Sequence, residues 1–207
     1  MAEPALLQVD GLQFHFDGLP PLFSGLCVAL PAGVHRLDGE SGSGKTTLLQ
    51  LLAGRLQGRG RITLGGEPPA AGQVAWVDAR DDAYDALTPE ALMQQLRSHW
   101  PAFDTAAWQQ HIDGFGLAPH GFKTLHMLSA GMRRKAALAA VLASGCPLLL
   151  LDEPTAGLDS PSTAHLVATL NALGRGGASG SGPVVLVVLG HWPDGLALGR
   201  TLALPAG

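Results

Sequence analysis

Gly39-Glu40-Ser41-Gly42-Ser43-Gly44-Lys45-Thr46 is the stretch on which the reading of this chain turns. It satisfies every fixed position of the phosphate-binding pattern G-x-x-x-x-G-K-[ST]. Glycines let a backbone wrap closely around a phosphate chain, and successive amide N–H groups then point at its oxygens. Thr47 and Leu48 continue into a predicted helix whose N-terminus adds partial positive charge to the anion site. In that setting Lys45 is expected to reach the β- and γ-phosphates of ATP, and the Thr46 hydroxyl to ligate Mg²⁺. The competing reading is a Gly/Ser-rich turn without a ligand.

Working outward, short apolar runs alternate with helical patterns between Gly and Pro clusters, which favours an α/β domain with a largely parallel sheet. Leu7-Gln8-Val9, Leu26 to Leu30 and Arg61 to Leu64 read as strands around one helix opening near Lys45. From about Asp81 to Leu125 the pattern is helical, with Pro89 placed to open one helix and Asp104 to cap another. Ala106, Ala107, Trp108 and Ile112 supply a buried stripe there. From Leu128 the α/β pattern returns: a helix to about Ala143, a strand Leu148 to Leu151, a helix near Ser162 to Leu173 and a strand Val184 to Leu189. The run Gly174 to Gly182 reads as a flexible connector. The 207 residues therefore form one expected domain, with a core over 1–80 and 126–207 and a helical lobe over about 81–125.

Composition narrows the function. A formal net charge of −4, with no basic run longer than Arg133-Arg134-Lys135, argues against a nucleic-acid surface. The two cysteines, Cys27 and Cys146, have no metal-ligand spacing and suggest a reduced, cytosolic chain with both thiols in the core. The first residues lack the cationic segment of a secretory leader. The most apolar stretch, Ala136 to Leu151, is interrupted by Ser144, Gly145 and Pro147, so a membrane role is expected to be peripheral.

Leu148-Leu149-Leu150-Leu151-Asp152-Glu153 is an apolar strand ending in two carboxylates. In isolation it reads equally well as a buried strand meeting a solvated pair that caps a helix. Downstream of a phosphate-binding loop, Asp152 would hold Mg²⁺ through its water shell and Glu153 would polarise the attacking water.

With these motifs the chain resembles the ATP-binding cassette (ABC) family. Leu128-Ser129-Ala130-Gly131-Met132 stands where that family places its signature, and Asp152-Glu153-Pro154-Thr155-Ala156-Gly157-Leu158-Asp159 matches its second acidic motif and D-loop. His191, after an apolar strand, matches its switch histidine. The resemblance implies a P-loop NTPase fold of the ABC ATPase type, with a mostly parallel core sheet, an antiparallel β subdomain and an inserted helical subdomain. It implies two cassettes packed head to tail as a homodimer or with a related cassette, each ATP lying between one P-loop and the other subunit's Ser129 and Gly131. It further implies transmembrane permease subunits as partners, no nucleic acid, and a cytoplasmic location on the inner face of the membrane. His191 would hydrogen-bond the γ-phosphate and orient Glu153, and Phe16 would stack on adenine. Read alone, Ser129 is an ordinary helix N-cap, His191 a surface loop residue and Phe16 a core strand aromatic, with Phe14 as a rival for the adenine.

Four positions depart from the family pattern. Ala79 stands where a glutamine usually follows the third strand, with Asp78 or Asp81 as substitute oxygen donors. Ala130 and Met132 replace a signature glycine and glutamine, and Gly190 precedes the histidine where threonine or serine is common. The functions in view are an ATP-hydrolysing transporter subunit, a non-transport ABC ATPase of translation or DNA repair, and an ATP-binding regulatory module with little turnover. Retention of Glu153 favours hydrolysis.

Overall fold

The computed structural model describes residues 6–76, 84–178 and 182–204. An antiparallel sheet is made by β1 (Leu7–Phe14), β2 (Phe23–Leu30) and β4 (Arg59–Leu64), in the order β2-β1-β4. A parallel sheet is made by β3 (Gly33–Asp38), β5 (Val74–Ala75), β6 (Leu148–Asp152), β7 (Val184–Val188) and β8 (Thr201–Ala203), in the order β5-β6-β7-β3-β8. The α/β architecture with one sheet of each kind is therefore as expected.

The central strands, β7 and β6 up to Asp152, are apolar because both of their faces are covered. Their period of two sends alternate residues to opposite sides. Leu148, Leu150, Val184, Leu186 and Val188 join a cluster with Leu48, Leu49 and the inner face of the antiparallel sheet. Leu149, Leu151, Val185 and Val187 join a second cluster with the helices on the other side. Helix α1 (Lys45–Leu52) serves the first cluster, and α2 (Pro89–His99), α3 (Thr105–Gly114), α4 (Ala130–Ala143) and α5 (Ser160–Ala178) serve the second. Pro89 opens α2 behind a Thr88 cap, and Asp104 caps α3 by accepting from the N–H groups of Ala106 and Ala107. Trp108 and Ile112 are buried as expected, whereas Ala106 is exposed.

Two expectations need correction. Cys146 is buried but Cys27 is exposed, because the alternation of β2 turns Val28 and Leu30 inward and Cys27 and Ala29 outward. Gly174 to Ala178 is not a connector: it continues α5. A Cβ on Gly177 would lie 2.5 Å from Gly33 Cα, so glycine here lets helix and strand backbones touch. Ala79, Asp78 and Asp81 lie outside the described residues.

Candidate active site

Strand β3 runs straight into the phosphate loop, and Gly44 ends it with φ 92°. A Cβ at Gly44 would meet Leu22 and Phe23 side chains at 2.9 Å. Only glycine suits that turn. No side chain caps α1, so its first amide N–H groups stay available to an anion. Lys45 lies back along the loop, its ammonium donating to the carbonyls of Gly39 at 2.8 Å and Glu40 at 2.7 Å. Ser43 is buried and its hydroxyl has no partner.

Strand β6, separated from β3 by β7, delivers the carboxylates to the same edge of the sheet. Thr46 Oγ1 donates to Asp152 Oδ2 at 2.8 Å. Glu153 follows with φ 46°, the one positive value at a non-glycine among the described residues. Its Oε2 accepts from the Gly190 N–H at 3.1 Å, which aims the carboxylate from β6 towards the end of β7. The result is a cleft of about 730 Å³, within the usual range for small-molecule sites. Its wall includes Gly39, Ser41, Gly42, Lys45 and Thr47 of the loop, with Asp152 and Glu153 opposite.

Phe16 is 44% exposed and lines this cleft, while Phe14 packs on the core beneath it and meets Phe16 edge to face at 4.9 Å. Ser129, Gly131 and His191 do not line it. Ser129 caps α4, accepting from the Met132 N–H at 3.2 Å, and is exposed. A Cβ on Gly131 would lie 2.8 Å from the Gly157 carbonyl. Lys135 of the same helix pairs with Asp159 at 2.7 Å. That hydrogen bond, with others from the Ser162 hydroxyl and N–H, holds the Asp159 carboxyl well below the usual carboxylate range.

The sequence reading missed Arg36 and Asp38, which line the cleft and pair at 2.9 Å. Their i, i+2 spacing immediately before Gly39 was the available signal, since alternate strand residues share a face.

A family model described as "ABC transporter" matches residues 29–156. The chain belongs to the ABC transporter family. It is an ATP-binding subunit and an ATPase of that family. This ABC protein is 38% identical over 172 residues to the cytochrome c biogenesis ATP-binding export protein CcmA of Pseudomonas savastanoi, covering 79% of this chain and 80% of the relative. It is 36% identical over 182 residues to the nickel import ATP-binding protein NikO of Rhodobacter capsulatus, covering 79% and 71%. A solved ATP-binding subunit of an ABC transporter superposes with a TM-score of 0.75 at 22% identity, over 89% of this chain and 79% of that one. At that identity the superposition speaks for the fold. No helix among the described residues of the ABC subunit is long and apolar enough to cross a membrane.

Proposed function

We propose that this subunit works as one of two cassettes packed head to tail on the cytoplasmic side of a membrane permease, hydrolysing ATP held between its own phosphate loop and its partner's Ser129 and Gly131. The observation that carries this reading is the convergence of Lys45, Thr46, Asp152 and Glu153 on one cleft. Thr46 Oγ1 and Asp152 Oδ2 are hard oxygen donors placed side by side. That pair suits Mg²⁺, which takes one or two protein oxygens and completes its shell with water and phosphate. When bound, the cation neutralises charge on the β- and γ-oxygens.

The residues of the chain do the rest. On nucleotide binding, the Lys45 ammonium exchanges the carbonyls of Gly39 and Glu40 for phosphate oxygens. The free N–H groups of the loop and of α1 take the remaining phosphate charge. Phe16, standing at the mouth of the cleft, stacks on the adenine. Glu153 accepts a proton from water in line with the γ-phosphate. His191 follows directly on Gly190, whose N–H already binds Glu153, and turns in to the γ-phosphate as the two cassettes close. Closure and reopening drive the permease through the helices between 84 and 125. The relatives CcmA and NikO are named for export and for import, so what passes from them to this chain is ATP-driven transport rather than a cargo.

Turnover by the parent, Glu153→Gln and Lys45→Ala proteins tests this. Lys45→Ala should lose ATP binding. Glu153→Gln should keep it, lose about 10²-fold or more in turnover and elute as a dimer in ATP and Mg²⁺. Parental turnover in Glu153→Gln would sink the assignment.

A further inference from the structure

Glu153 is held in a backbone conformation that a side chain adopts only when its surroundings enforce it. Its φ of 46° places it in the left-handed region. Three contacts hold it there. Its N–H donates to the Val188 carbonyl at 2.9 Å. Its carbonyl accepts from the Ala156 N–H at 3.1 Å and from Arg134 Nη1 at 2.8 Å. The first two are main-chain bonds of the sheet edge and the turn. The third is the one that a side chain supplies, and it is charge-assisted.

Arg134 lies on the second turn of α4, half-buried, five residues after Ser129. It is flanked by two further ties between the same helix and the same loop. Gly131 sits against the Gly157 carbonyl so closely that a Cβ would be 2.8 Å away, and Lys135 holds Asp159 at 2.7 Å. The loop from Glu153 to Asp159 is thus laid along the first two turns of α4. Of the three ties, the Arg134 bond is the one that reaches the peptide of the carboxylate itself.

We infer that Arg134 is a positioning residue for hydrolysis: its guanidinium fixes the Glu153 peptide in the left-handed conformation and so aims the carboxylate at the water. This rests on the role given to Glu153 above. It also makes the helix opened by Ser129 the mechanical link between that end of the cassette and its own catalytic edge. A shift of α4 by less than an ångström would turn the Glu153 carbonyl, and with it the carboxylate. Misplacement on that scale is enough to slow chemistry without changing substrate affinity.

The test compares Arg134→Met, which keeps an apolar stem and removes every donor, with Arg134→Lys, which can still donate to the carbonyl. The transporter complex is purified through a tag on this chain, and kcat and KM for ATP are measured at saturating Mg²⁺. Arg134→Met should lower kcat about tenfold while KM stays near that of the parent. Arg134→Lys should recover most of the loss. In a Glu153→Gln background, Arg134→Met should lower the residual turnover no further, because the group it aims is gone. Equal kcat in Arg134→Met and parent overturns the inference, as does a loss that Lys fails to recover or that persists in the Glu153→Gln background. If Arg134→Met does not fold, Arg134→Gln replaces it with the same expectations, its shorter amide being unable to span the gap. Parental turnover in Glu153→Gln alone would instead overturn the role of Glu153.

Discussion

The Thr46 hydroxyl donates to the Asp152 carboxylate across 2.8 Å, joining residues 106 positions apart in the chain. Each sits near an end: Thr46 lies in the first turn of α1 and Asp152 ends β6. Two conditions follow from that contact. The strand that feeds the phosphate loop and the strand that carries the carboxylates must finish at the same edge of the sheet, and no bulky group can stand between them.

Removing either partner should therefore act on the cation rather than on the fold. Asp152→Asn and Thr46→Val should both raise the Mg²⁺ concentration for half-maximal turnover by about tenfold or more, at least what the loss of a group that merely orients a metal ligand costs. A Mg²⁺ titration of ATPase rate at fixed ATP reads this directly. Unchanged half-saturation in both variants would mean that the pair does not serve the metal.

Phe16 and Phe14 should separate cleanly on substitution. Phe16→Ala should weaken ATP binding by about 1 kcal/mol or more, the lower end for base–aromatic stacking, and leave thermal stability near that of the parent, since Phe16 is 44% exposed. Phe14→Ala should do the reverse, because Phe14 packs against the buried cluster around Leu7 and Phe23. Nucleotide titration together with a melting curve of each variant checks both halves.

Acid should destabilise the subunit partly through His111. Its Nδ1 lies 3.1 Å from His165 Nε2 where α3 meets α5. Burial first, then the neighbouring His165, push its pKa down to about 4, against a smaller raising effect of Asp104. Burial also lowers the pKa of His165. With the folded value depressed, the unfolded chain takes up the proton first. The stability present above the ordinary histidine pKa of 6.5 is therefore lost as pH falls from there towards about 4. Urea midpoints measured between pH 7 and 5 should fall less steeply in His111→Gln than in the parent.

Gly177→Ala should lower stability by about 1–3 kcal/mol, the usual cost of overpacking. The new methyl has nowhere to go but into Gly33, and α5 must lift from β3. Equilibrium urea unfolding would show it. A variant as stable as the parent would mean that the helix ends before Gly177 in solution.

How much of this was legible beforehand depended on range. Lys45, Thr46, Asp152 and Glu153 were readable because each belongs to a short contiguous pattern whose chemistry demands particular residues at particular spacings. Pro89 and Asp104 marked helix starts because capping is settled within one turn. Cys27 was misplaced because a free cysteine was assigned to the core by residue type, whereas a strand on an outer sheet buries alternate residues. The glycines of 174–178 read as a linker because composition cannot show that another backbone lies against Gly177.

The sequence by itself determined the phosphate loop, the acidic strand end and the α/β alternation, all properties of neighbouring residues whose backbone preferences and side-chain chemistry act locally. Only the tertiary structure decided that Thr46 touches Asp152, that Phe16 rather than Phe14 faces the cleft, and that Arg134 holds the Glu153 carbonyl. Those contacts join distant segments. Their existence depends on strand order and on how each helix lies against the sheet, which are set by the packing of the whole core rather than by any stretch of chain.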